Sequence, residues 1–183
     1  PGHWHAGVPA TPPEGSLLHR LLTGSFKGDP EAQAKCDLLA EICGSAALGY
    51  ATHLLQPRAV VLHGMAAENG KSQFLNLARG LLPPSAICSV PASQMGDDRH
   101  VLGLVGKLLN ASDELSAEAI ASDAFKAVVT GDPVQGRDVY KSRVEFRSVA
   151  QNLFATNTLP SFKGGVDRGV QRRLMVIPFT RTI

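Results

Sequence analysis

The segment Ala59-Val60-Val61-Leu62-His63-Gly64-Met65-Ala66-Ala67-Glu68-Asn69-Gly70-Lys71-Ser72-Gln73-Phe74-Leu75 joins an apolar run to a glycine-bracketed loop and then to a helical pattern. Four apolar residues in a row, Ala59 to Leu62, fit a short strand buried on both faces, and Phe74, Leu75, Ala78, Leu81 and Leu82 recur at helical spacing. Strand, loop and helix in that order form a phosphate-binding arrangement. Glycines let backbone amides turn inward on phosphate oxygens, and the helix that begins there adds its positive end. At the close of the loop, Asn69-Gly70-Lys71-Ser72 supplies a lysine that reaches the β/γ-phosphates and a hydroxyl that joins Mg²⁺. The usual pattern is G-x-x-x-x-G-K-[ST]. Here Gly64 lies six residues before Gly70 rather than five, Met65 occupies the expected glycine position, and Glu68 brings negative charge close to the phosphates.

The rest of the composition is consistent with one globular domain. The 183 residues carry 18 Lys+Arg against 16 Asp+Glu, a formal net charge of +2. With 44% hydrophobic and 19% charged residues, the chain is neither a disordered tail nor a collagen-like or disulfide-stapled one. Apolar stretches such as Ala46 to Leu55, broken by Gly49, Tyr50 and His53, fall short of the ~18 residues that a membrane span needs. No membrane partner is expected. A pI of about 8.7 is only mildly basic, so any nucleic-acid role rests on local placement of charge. Cys36, Cys43 and Cys88, without a Cys-x-x-Cys pair, read as reduced, packed thiols of a cytosolic protein.

Pro1, Pro9, Pro12 and Pro13 mark residues 1–15 as an extended leader that carries His3-Trp4-His5. Residues 16–57 read as a small N-terminal helical subdomain. Leu17, Leu18, Leu21 and Leu22 have helical spacing, and Asp29-Pro30-Glu31 supplies an N-cap, a first-turn proline and an early acid for a second helix. That helix sets Ala34, Leu38, Leu39, Ile42 and Cys43 against Lys35, Asp37 and Glu41. Residues 58–183 form the core, with further strands expected at Ala86 to Val90, Lys107 to Ala111, Leu153 to Thr156 and Leu174 to Pro178. Helices are expected near Arg99–Val105 and Ala117–Val129. Strands alternating with helices imply an open, mostly parallel α/β sheet whose ligand lies off the carboxyl ends of the strands. Opening on Pro1 and closing just after a strand, the chain is expected to be an excised piece of a longer protein, truncated at both ends.

Three further groups bear chemistry. Asp113-Glu114 follow the apolar run Leu108-Leu109-Asn110-Ala111. They fit a metal-binding acid and a water-activating acid, or equally the N-cap and first-turn acid of the next helix. Their place one βαβ unit after the lysine favours the first reading. Asn157 ends the run Leu153-Phe154-Ala155-Thr156, where its amide can hold an attacking water or a γ-phosphate, or else belong to an ordinary Asn-Thr-Leu-Pro turn. Arg172-Arg173 lead into Leu174 to Phe179. They read either as solvated residues at a strand edge or as cations that stabilise transition-state charge in a neighbouring subunit.

In this order and spacing the set resembles the superfamily III helicases, in particular the primase–helicases of phages, plasmids and poxviruses. Asn69 to Ser72 look like motif A and Asp113-Glu114 like motif B. Phe125-Lys126 through Thr130-Gly131-Asp132 to Tyr140-Lys141 look like the intermediate motif, and Thr156 to Pro160 like motif C. Arg172-Arg173 with Ile177-Pro178-Phe179 look like the arginine-finger segment. The resemblance implies a P-loop NTPase with an AAA+-like sheet that binds ATP and Mg²⁺, assembles as a homo-hexameric ring and moves along single-stranded DNA. It implies an N-terminal primase in the parent protein and the cytoplasm of a bacterial host, with a phage or plasmid gene. It implies that Gly64, Asn69, Gly70, Lys71 and Ser72 hold the nucleotide, with Ser72 and Asp113 on the metal. Glu114 would activate water and Asn157 position it, while Arg173, together with Arg172, would reach across the subunit interface. A hairpin within Gly131 to Phe146, with Arg137, Lys141 and Arg143 around Tyr140, would contact DNA. Two other readings share the phosphate loop: a small-molecule kinase, and a nucleotide-binding assembly module without activity.

Overall fold

The computed structural model describes residues 12–65, 68–113, 119–140 and 142–181. A five-stranded sheet lies at its centre, built from β1 (Ala59–His63), β2 (Ile87–Cys88), β3 (Leu109–Ser112), β6 (Gln151–Thr156) and β7 (Leu174–Pro178). Its order is β2-β3-β6-β1-β7 and every neighbouring pair is parallel. A separate antiparallel hairpin joins β4 (Pro133–Gly136) to β5 (Val144–Arg147).

Side chains alternate between faces along a strand, so an unbroken apolar run must be covered on both sides. Val60, Leu62, Leu109, Ala111, Leu153, Ala155 and Ile177 face α3 (Lys71–Gly80) and α2 (Ala32–Ala47), which contribute Phe74, Leu75 and Ala78, and Leu39, Ile42 and Ala46. Ala59, Val61 and Phe154 face the other way, onto Phe125, Val128 and Val129 of α4 (Ser122–Thr130) and Val170 of α5 (Arg168–Arg173). The N-terminal helices therefore share one core with the sheet. Phe26, just after α1 (Leu17–Ser25), meets the Phe179 ring at 4.8 Å.

Several element boundaries depart from the sequence reading. α2 begins at Ala32, and the Asp29 carboxylate instead caps the Glu31 amide at 2.8 Å. The expected helix near Arg99–Val105 is only a 3-10 turn, Val101–Leu104, and Gly106 then takes the left-handed backbone (φ 69°) that turns the chain toward β3. The second, Ala117–Val129, takes shape as α4 from Ser122; residues 114–118 lie outside the described ones, as do His3, Trp4 and His5 of the leader. The strand expected at Ala86 to Val90 narrows to Ile87–Cys88. Cys36, Cys43 and Cys88 are free thiols, with Cys43 and Cys88 pushed up to about 11 by burial. Among the described residues, no helix is long and apolar enough to cross a membrane.

Candidate functional site

The carboxyl ends of β1, β6 and β7 finish level: His63 stands in register with Thr156 on one side and Pro178 on the other. The chain after β1 is tied there at once, since the Gly64 amide donates to the Thr156 carbonyl (3.2 Å) and the Phe179 amide to the His63 carbonyl (2.6 Å). Gly64 is required by space. A Cβ at this position would overlap the Asn69 amide nitrogen and the Phe179 carbonyl and come within 3.2 Å of Lys71 Nζ. Glu68 and Gly70 both adopt the left-handed backbone (φ 56° and 89°), which turns the chain into α3; the Gly70 carbonyl accepts the helical bond from Phe74 (2.9 Å).

Two polar side chains of the loop are buried. Asn69, 3% exposed, donates to the Phe179 carbonyl at 3.3 Å. Lys71, 6% exposed, donates to the Gly64 carbonyl at 2.8 Å and to Asn69 Oδ1 at 2.9 Å. The ammonium thus ties the first residue of the loop to its last turn. Burial pulls the Lys71 pKa below its ordinary value. Ser72 is exposed on the first turn of α3. Asn157 is exposed at the end of β6, in a turn held by Thr156 Oγ1, which donates to the Thr158 carbonyl (2.7 Å) and accepts from the Thr158 amide (3.1 Å).

Asp113 follows β3, the strand beyond β6, at the same carboxyl edge. Its carboxylate is engaged by Arg79 of the last α3 turn, Nη1 to Oδ2 at 3.1 Å, while Arg79 Nη2 donates to the Ala111 carbonyl at 3.0 Å. Glu114 lies outside the described residues. The edge therefore gathers Gly64, Asn69, Gly70, Lys71, Ser72, Asn157 and Asp113. Arg79 was not singled out from the sequence. The available signal was its position eight residues past Lys71 on the same helix. The same strands are locked together by Asn110, whose side chain accepts from the Val90 amide (2.7 Å) and donates to the Val90 carbonyl (3.0 Å) and Asn152 Oδ1 (3.0 Å).

Mg²⁺ typically keeps several waters and takes one or two protein oxygens besides phosphate. Among the described residues no group of three or more His, Cys, Asp or Glu could hold a metal by itself. An exposed Ser72 hydroxyl beside the loop suits the ion's habit, and Asp113, whose Oδ2 is held by Arg79, is the carboxylate at the same edge.

The two arginines sit elsewhere. Arg172 and Arg173 end α5 rather than begin the strand, and β7 starts directly after them with Leu174 in register with Ala59. They lie at the amino edge of the sheet, one strand length, about 13 Å, from the loop. Arg173 is half-buried and donates to the Gly169 carbonyl at 3.1 Å, with its Nε buried and unpaired; Arg172 is exposed.

On the hairpin, Arg137 is exposed and its amide donates to the Asp98 carbonyl (2.9 Å). Arg143 reaches Gln135 Oε1 (3.3 Å) and Asp98 Oδ2 (3.7 Å). Lys141 lies outside the described residues. Asp97, Asp98 and Asp138 line the same cleft as Arg99 and Arg137, so the basic cluster is interleaved with acids. At the tip, Tyr140 is 99% exposed with φ 58°.

Solved structures share this architecture. The apo C-terminal region of NrS-1 superposes with a TM-score of 0.62 at 16% identity, over 91% of this chain and 38% of that one. A second apo structure of the same region gives 0.62 at 16% identity over 90% and 38%. JCV helicase bound to a thiazolopyridinyl phenoxyphenyl acetamide gives 0.52 at 11% identity over 91% and 46%. The chain thus spans less than half the length of these neighbours and has a fold that a helicase also has. No curated protein matches it. A family model matches residues 62–173, from the end of β1 through the loop and the hairpin to the two arginines, and the chain belongs to that family, DUF5906, a family of unknown function.

Proposed function

We propose that the chain is the ATPase motor of a replicative DNA helicase of phage or plasmid type, working as a ring on single-stranded DNA. The observation that carries this reading is the buried Lys71, held by its own loop at the carboxyl edge of β1 with the Asn157 turn on the next strand. On nucleotide binding, Lys71 would exchange the Gly64 carbonyl and Asn69 for β/γ-phosphate oxygens, and the loop amides would face the same anion. Ser72 and Asp113 would hold Mg²⁺, which supplies charge neutralisation on the phosphates. Asn157 would orient the attacking water and Glu114 take its proton. Arg172 and Arg173, at the far edge, would serve a site on a neighbouring copy.

Single-stranded DNA should raise ATP turnover, and Lys71→Ala should abolish it. Turnover that ignores DNA would sink the helicase reading. One observation favours a second reading, in which the domain binds nucleotide for assembly alone: Asp113 is already engaged by Arg79. Saturable Mg²⁺–ATP binding without turnover, with and without DNA, would support it.

A further inference from the structure

The phosphate loop opens onto a cleft of about 860 Å³ between α1 and α3. We propose that this cleft is the nucleoside pocket of the same site, taking a purine base between leucines and the ribose beside Glu68; the proposal rests on the phosphate-loop reading above. A cleft of this size lies in the usual range for small-ligand sites. One wall is α1, whose Leu17, Leu18 and Leu21 face the cleft; Leu17 and Leu18 remain 80% and 36% exposed. That apolar edge is not covered by the core. The opposite wall is the outer face of α3, where Gln73 and Leu77 lie one helical turn apart.

The chemistry fits a nucleoside joined to phosphates at Gly70, which lines the cleft's inner end. Leucine side chains on both walls can hold a base between them by dispersion contacts, and the Gln73 amide, exposed on the first turn of α3, can both donate to and accept from a base edge. Glu68 also lines the cleft. Its carboxylate works against phosphate but suits ribose hydroxyls, which donate to carboxylates in dinucleotide sites. On this assignment Glu68, which lines the cleft, meets the sugar rather than the phosphates. The residue that departs from the phosphate-loop pattern then acquires a function.

Calorimetric titration of the whole chain with Mg²⁺–ATP and with Mg²⁺–tripolyphosphate separates the two halves of the site. Lys71→Ala should weaken both ligands. The double variant Leu17→Ser/Leu18→Ser, at exposed positions, should weaken ATP about tenfold or more and leave tripolyphosphate unchanged. Gln73→Ala should behave alike with a smaller loss, and serves if the double variant does not fold. Wild-type affinity for ATP in a folded double variant, or equal loss of both ligands, overturns the pocket while the phosphate reading stands. Wild-type protein that binds neither ligand overturns both.

Discussion

Gly64→Ala tests whether the loop is built as a single tight unit. The added Cβ would overlap two groups at once, the Asn69 amide and the Phe179 carbonyl. The carbonyl cannot retreat easily, because the peptide chain at Phe179 is pinned by its amide's 2.6 Å bond to His63. Asn69 must therefore move, and with it go its bond to Phe179 and the Lys71–Asn69 contact. Overpacking of this kind costs about 1–3 kcal/mol and a lost buried hydrogen bond about 0.5–1.5 kcal/mol more. The sum, about 1.5–4.5 kcal/mol, corresponds to a Tm lowered by roughly 3–18 °C for a domain of this size. Thermal unfolding followed by circular dichroism reads the first effect. Mg²⁺–ATP titration reads the second, a loss of affinity out of proportion to the loss of fold. A Gly64→Ala protein with wild-type Tm and wild-type ATP affinity would refute the reasoning, because the methyl would then have found room that the geometry denies.

Burial lowers the Lys71 pKa, so between its folded value and the ordinary 10.5 the unfolded chain binds more protons and stability rises with pH. Urea unfolding of wild type and Lys71→Met should diverge in favour of wild type as pH climbs through that window; a flat difference would contradict it. Arg172→Ala should stop turnover in an assembled ring while sparing Tm, whereas Arg173→Ala should lower Tm by a few degrees through the lost Gly169 contact. Mixing Arg172→Ala with Lys71→Ala copies should restore part of the activity, and no restoration argues against a shared site. Tyr140→Gly removes an exposed ring and suits the left-handed backbone, so Tm should hold or rise while affinity for a labelled single-stranded oligonucleotide falls about tenfold. Unchanged fluorescence anisotropy titrations would dismiss Tyr140 as a stacking residue.

The sheet was legible because its signals are local. Ala59 to Leu62 and Leu153 to Thr156 are short apolar runs bounded by turn residues, and each became a strand buried on both faces. The helix after the loop was equally plain in Phe74, Leu75 and Ala78. What the sequence hid depends on distance along the chain. The Arg79–Asp113 pair joins residues 34 positions apart, and neither has a periodic neighbour that announces the other. The β4–β5 hairpin was expected only by resemblance, since Pro133–Gly136 and Val144–Arg147 are short and largely exposed, and the one apolar alternation, Val144 and Phe146, covers only two residues. α5 went unread for a similar reason: six residues, with Val170 alone buried, give no stripe.

That unread helix changes how the arginines must be understood. β7 starts directly after Arg172 and Arg173 and reaches the loop only at its far end, so neither arginine lies beside its own nucleotide site. They cap α5 at the amino edge, and the parallel register of β7 with β1 carries the chain away from them to the loop at the other edge. The intervening span of about 13 Å is closed by packed sheet, not by a flexible loop. Any action of these arginines on phosphate therefore needs a second copy whose loop edge faces this copy's amino edge. Such head-to-tail contacts close into rings when the rotation permits. Of the two, Arg172 has the freer hand, because Arg173 already spends a guanidinium nitrogen on the helix that carries it.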